Sequence, residues 1–229
     1  PTIFEYIDYC GAKGLKVLLF TNCTQIKENI AEICKRDNIE ALVLSLQTPT
    51  VKSYQLRGWN VPFHKYIEDI FSSVEYIINN KANVKMRTEI HLASTKHLPF
   101  RDWAVLEDHT IARGILEEMA STIRLMHDGS EEIDISSVPD NALDIPETDW
   151  WGYEAAPNIY IRYKNFGAFG WSHLPACYKI VECKSLHACE FMKSLICVLS
   201  NGDITLCCTD VDGDMQLGNI KTMSIKEAP

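Results

Sequence analysis

Six of the chain's nine cysteines fall within residues 177–208, in the run CYKIVECKSLHACEFMKSLICVLSNGDITLCC. The other three, Cys10, Cys23 and Cys34, lie near the start. No other feature restricts the fold as much, because thiols so crowded must become disulfides, buried apolar groups or metal ligands. The run also carries the means to bring them together. Residues 194–200 (SLICVLS) are rich in strand formers, Asn201-Gly202-Asp203 reads as a turn, and residues 204–208 (ITLCC) read as the return strand. A hairpin of this kind brings Cys189, before it, near Cys207, at its end. Cys183 is close enough in sequence to join them. Three thiolates converging on one point suit zinc or an iron–sulfur cluster equally. Cys197, inside the apolar strand, is expected to be a core cysteine. Cys208 should point away from Cys207, since successive strand side chains alternate faces. Disulfides are disfavoured, because no signal peptide is visible and the chain is large enough to form a core without staples.

The chain has 229 residues, 46% of them hydrophobic, which is enough for one large domain or one domain plus a small one. Its formal charge of −9 argues against a nucleic-acid surface. No apolar run approaches the ~20 residues of a membrane helix. Cysteine-rich composition without a secretory signal points to a reducing compartment, so a cytoplasmic protein is expected. Residues 3–10 read as a helix already inside a domain, and the sequence stops as another begins, so a fragment or processed chain is expected.

The first half alternates helix and strand. Ile3, Phe4, Ile7 and Cys10 share a helical face that Gly11 or Gly14 ends. Residues 16–20 (KVLLF) predict a short buried strand. Thr24 can cap a helix through Lys35 with Ile26, Ile30, Ile33 and Cys34 as its apolar face. Residues 40–46 (EALVLSL) predict a second strand. A helix over 64–81 buries Ile67, Ile70, Phe71, Val74, Ile77 and Ile78, and residues 84–92 predict a third strand. This order is the pattern of a parallel α/β sheet. Asp108 or Thr110 caps a further helix to about His127. Residues 128–176 read as a connector, with a short strand over 133–135 and another over 159–163. Trp150 and Trp151 are expected to pack as interface aromatics.

The third strand is informative because Lys85, Arg87, Glu89 and His91 alternate with apolar residues. A parallel strand covered on both faces should be apolar throughout. The polar row therefore faces a wet or ligand-filled cavity, or else belongs to a solvated edge strand. Ligands of parallel α/β folds bind at the carboxyl ends of strands, where Asn22, Ser45, Gln47, Glu89 and His91 are expected. Asp210, Asp212 and Asp214 do not form an EF-hand, since Met215 and Lys221 stand where its Gly and Glu are required.

Cys189, Gly202 and Cys207 stand at the spacing that opens the SPASM domain, the cluster-binding extension of many radical SAM enzymes, and QLGNIKTMSIKEA resembles its continuation. Cys183 fills the position of a further cluster ligand in related enzymes. The resemblance therefore implies an auxiliary [4Fe–4S] cluster held by Cys183, Cys189 and Cys207. The first half is similar to a radical SAM fold. Residues 18–23 (LLFTNC) resemble its third strand, with Cys23 in place of the usual glycine. Residues 44–48 (LSLQT) resemble its fourth, and residues 54–58 (YQLRG) the loop after it. The resemblance implies a partial parallel (β/α) barrel over residues 1–127, a connector over 128–176 and an incomplete SPASM-like segment over 177–229. It also implies S-adenosylmethionine held by Asn22, Ser45, Gln47, Glu89 and His91, a peptide or small-molecule substrate, and an electron donor such as a flavodoxin or ferredoxin. The family's Cys-x-x-x-Cys-x-x-Cys and its Gly-Gly-Glu are absent, so the chain as written cannot hold the catalytic cluster by the family's means. A zinc- or cluster-binding scaffold without catalysis is the alternative.

Overall fold

The computed structural model describes residues 2–55, 57–58, 60–80, 84–96, 105–145, 152–165, 195–207, 210 and 212–224. They belong to two compact units, residues 1–166 and 167–229. Trp150, Trp151, Cys177, Cys183, Cys189 and Cys208 lie outside the described residues.

The first unit opens with helix α1 (Ile3–Ala12), fixed at its start by a capping box: the Glu5 N–H donates to the Thr2 hydroxyl at 3.4 Å, and the Thr2 N–H to the Glu5 carboxylate. The chain leaves α1 through Gly14 at φ 72° and enters strand β1 (Val17–Thr21). Helix α2 (Ile26–Cys34) buries Ile26, Ile30 and Ile33, as their spacing predicts. Thr24 does not cap it; the Asn22 carboxamide takes both its N–H and its hydroxyl, at 3.2 and 2.9 Å. Strand β2 (Ile39–Gln47) is followed by a short helix α3 (Val51–Gln55) and by α4 (Phe63–Asn79). The buried face of α4 includes Tyr66, Asp69 and Ser73 besides Ile70, Val74, Ile77 and Ile78, while Ile67 and Phe71 are only half-buried. Strand β3 (Arg87–Ser94) starts later than its alternation predicts. Helix α5 (His109–Asp128) is capped by Asp108, which accepts from the Ile111 N–H at 3.0 Å, and ends at left-handed Gly129.

Residues 133–135 form no strand. A 3-10 turn (Ala142–Asp144) leads instead to strands β4 (Tyr153–Ala156) and β5 (Ile159–Asn165), which join the main sheet. The sheet order is β1-β2-β3-β5-β4, with β1, β2, β3 and β5 parallel and β4 antiparallel. The expected α/β class and mainly parallel sheet are therefore present, and the antiparallel strand β4 corrects the purely parallel reading. Among the described residues the sheet is open, with β1 and β4 at its edges.

The pairing register sorts the side chains into two faces. Leu42, Leu44 and Leu46 share a face with Ile90 and Leu92 and with Ile159, Ile161 and Tyr163, and all of these enter the core with the helices. The opposite face carries Leu18 and Phe20, then Ala41, Val43 and Ser45, then Arg87, Glu89 and His91, then Tyr160 and Arg162. None of these belongs to that core. The strand predicted as buried at residues 16–20 is thus half-exposed, with Leu18 at 56% and Phe20 at 59%, because it is an edge strand whose second face the described helices do not cover.

The second unit is a three-stranded antiparallel sheet of β6 (Cys197–Val198), β7 (Asp203–Thr205) and β8 (Gln216–Asn219). The predicted hairpin is β6–β7, and QLGN supplies the third strand. Among the described residues no helix is long and apolar enough to cross a membrane.

Candidate functional site: a charged sheet face and a cysteine-bearing hairpin unit

In the first unit, strand alternation puts Arg87, Glu89 and His91 in one row, and the β3–β5 register sets Arg162 beside His91. Glu89 is 3% exposed and His91 5%. The Glu89 carboxylate meets Arg87 Nε at 2.7 Å, His91 Nε2 at 2.7 Å and Arg162 Nη1 at 3.6 Å. Burial alone would raise this carboxyl, but the hydrogen bond and charge of His91, with those of Arg87, outweigh it and hold the group at about 2. Glu89 therefore stays ionised and shares its one negative charge between two arginines on a face that the apolar core does not use.

Ser45 lies on this same face, through the pairing of Val43 with Glu89. Gln47 ends β2 at φ 57°, where the Thr48 N–H reaches back to the Leu46 carbonyl at 2.6 Å in a γ-turn. Asn22 follows β1 and is exposed, its carboxamide oxygen accepting from the Thr24 N–H and hydroxyl. A groove of about 290 Å³ along the β1 edge takes in Asn22 with Phe20, Thr24, Gln25 and Asn29. The structure thus brings Ser45, Glu89 and His91 to one face and sets Asn22 and Gln47 at the ends of adjacent strands.

Three residues of this region escape the sequence reading. Arg162 is signalled by the alternation of Tyr160, Arg162 and Lys164 with apolar residues in β5. Tyr66 is signalled only by its helical spacing with Ile70 and Val74. Arg57 sits in a loop without periodicity. Tyr66 Oη lies 3.2 Å from the Asn22 carbonyl, 3.4 Å from that of Ser45 and 3.5 Å from that of Leu46. Arg57 Nη1 donates to the Leu46 carbonyl at 2.9 Å.

In the second unit, Gly202 turns the β6–β7 hairpin at φ 95°, and its N–H donates to the Leu199 carbonyl at 2.9 Å. A Cβ there would stand 3.0 Å from the Asn219 side chain, so glycine is required twice over. The Asp203 carboxylate collects the side-chain amides of Asn201 at 2.6 Å, Asn219 at 2.9 Å and Gln216. Cys207 stands two residues beyond β7. Its N–H donates to Thr205 Oγ1 at 3.2 Å and its carbonyl accepts from the Asp210 N–H at 3.1 Å, which pins the thiol-bearing residue at the hairpin's end. Asp210, buried, accepts from the N–H groups of Asp214 and Met215, both at 2.9 Å. Burial pushes its carboxyl up, yet those amides and Thr205 hold it below the usual range. Its oxygens serve the loop.

Cys197 does not occupy a core. It is half-buried, and its neighbours Leu195, Ile196 and Val198 are exposed, because the strand is short and on the sheet edge. Cys183 and Cys189 fall outside the described residues, and among the described residues no three His, Cys, Asp or Glu side chains converge as a metal site. The donor chemistry nonetheless suits a cluster: the segment is rich in cysteine, a soft ligand, and the main chain of Cys207 is held through both its N–H and its carbonyl. No curated protein and no solved structure gives a significant match to the chain. Residues 189–228 match the family model of the SPASM domain, an iron–sulfur cluster-binding domain, and the chain therefore carries a segment of that family.

Proposed function

We propose that this chain is part of a radical SAM/SPASM enzyme, with an auxiliary [4Fe–4S] cluster held by Cys183, Cys189 and Cys207 and S-adenosylmethionine held at the strand ends of the first unit. The observation that carries this reading is the match of residues 189–228 to the cluster-binding family in a chain that also has a mainly parallel sheet with one face outside its apolar core. When bound, the auxiliary cluster would relay electrons or hold the substrate, and S-adenosylmethionine, cleaved with one electron from the family's catalytic cluster, would supply a hydrogen-abstracting radical to a peptide or small-molecule substrate.

The chain's own residues bind and orient. Glu89 and His91, with Arg87 and Arg162, form a preorganised charged row whose geometry is fixed by mutual ion pairs. Ser45 lies on the same face, and Asn22 and Gln47 supply neutral hydrogen-bonding groups at the carboxyl end of the sheet, where parallel folds take their ligands. Metal and sulfide analysis after anaerobic reconstitution tests the reading. Iron with acid-labile sulfide supports it. One zinc per chain without sulfide would overturn it in favour of a scaffold with a structural metal.

A further inference from the structure

Two adjacent parallel strands end in the same unusual way. After β1, Cys23 stands at φ 67°; at the end of β2, Gln47 stands at φ 57°. Neither is glycine, and left-handed backbone is costly for a residue with a Cβ. Such outliers persist only where surrounding groups hold them, and they cluster at functional sites. Both lie at the carboxyl end of the sheet, the end that takes ligands in parallel α/β folds.

Each turn has a local hydrogen bond, from the Cys23 N–H to Thr21 Oγ1 at 3.1 Å and from the Thr48 N–H to the Leu46 carbonyl at 2.6 Å, and two side chains from outside the strands join them. Tyr66, 1% exposed, reaches from α4 so that its hydroxyl stands 3.2 Å from the Asn22 carbonyl of one strand end, and 3.4 and 3.5 Å from the Ser45 and Leu46 carbonyls of the other. Arg57 Nη1 contacts the Leu46 carbonyl at 2.9 Å, the Tyr66 hydroxyl at 3.4 Å and Thr48 Oγ1 at 3.5 Å, on either side of the turn at Gln47. The Tyr66 ring is itself fixed against Tyr54, with centroids 5.0 Å apart. One phenol and one guanidinium thus bridge the two left-handed strand ends.

We propose that Tyr66 and Arg57 are positioning residues: they clamp the turns at Cys23 and Gln47 so that Asn22, Ser45 and Gln47 are preorganised for the adenosyl ligand. This rests on the S-adenosylmethionine reading above, and the clamp acts through the backbone without touching the ligand.

The test uses the full, anaerobically reconstituted chain as wild type, Tyr66→Phe, Arg57→Met and Tyr54→Phe. Tyr54→Phe is the control, since it keeps the ring that packs on Tyr66 and removes only a phenol that donates to the Val61 carbonyl at 2.9 Å. Amide hydrogen exchange at Thr48 and binding of S-adenosylhomocysteine by calorimetry are read together with the thermal midpoint. Tyr66→Phe and Arg57→Met are expected to speed exchange at Thr48 about tenfold and weaken S-adenosylhomocysteine by a similar factor, the scale of one lost buried hydrogen bond. Tyr54→Phe is expected to change the midpoint and neither of the others. Exchange at Thr48 equal to wild type in Tyr66→Phe overturns the clamp. Faster exchange with unchanged affinity overturns the positioning role. Failure of the wild type to bind S-adenosylhomocysteine overturns the cofactor reading and the ligand role with it, while the exchange measurement still decides whether the clamp exists.

Discussion

Leu44, Ile90, Leu92 and Ile161 in the first unit are fully screened from water by apolar side chains of strands and helices. Among the described residues of the second unit, Ile204, Thr205 and Asp210 are screened, as is Gly202, while Leu195, Ile196, Val198, Met215 and Ile220 are exposed. Its described order comes from polar contacts: three amides on Asp203, two backbone N–H groups on Asp210, and the Thr205 hydroxyl beside Cys207. The lesson is one of scale. A large unit can pay for its chain entropy with apolar burial, whereas a segment this small commonly needs a metal or staples. The cysteines divide the same way in sequence, six of the nine lying within residues 177–208.

The largest effect should follow removal of the metal. Anaerobic chelation of the reconstituted chain is expected to abolish hydrogen-exchange protection across residues 195–224 and leave β2 and β3 protected, since metal binding to such segments is folding free energy. Equal loss in both units would break the comparison. Next, Leu44→Ala should cost about 2–5 kcal/mol in the first unit, read by denaturant unfolding, with iron content per folded chain unchanged.

The charged row sharpens the comparison from the other side. Glu89 is held at about 2, below its ordinary 4.5. Its contribution should be complete above about pH 4.5 and be lost as the pH falls towards 2, amounting to at most about 3 kcal/mol. Glu89→Gln should remove that acid slope together with the ion pairs to Arg87 and Arg162. An unchanged slope would show that the row is not coupled. The smallest effect, about 1 kcal/mol, is expected for Asp108→Ala at the start of α5, again confined to the first unit.

Much of this was legible in the residues, and the rest failed for physical reasons. The α4 and α5 spacings, the Asp108 cap and the alternating polar row of β3 are local signals. Exposure of Leu18 and Phe20 is not local; it depends on which strand stands at the sheet's edge. Thr24 has the chemistry of a cap, but Asn22 two residues earlier competes for its donors. The antiparallel strand β4 lies in a stretch rich in acids and prolines that carries no alternation long enough to read. Glu89 and His91 could be found from one strand, whereas Arg162 required the β3–β5 register, and Tyr66 and Arg57 required knowing where α4 packs.

The central claim is that Cys183, Cys189 and Cys207 hold an iron–sulfur cluster while Cys197 does not. Iron and sulfide content of anaerobically reconstituted Cys189→Ser and Cys197→Ser tests it most directly. A marked loss of both elements in Cys189→Ser, with retention in Cys197→Ser, is the predicted result. Equal retention in the two variants would contradict it.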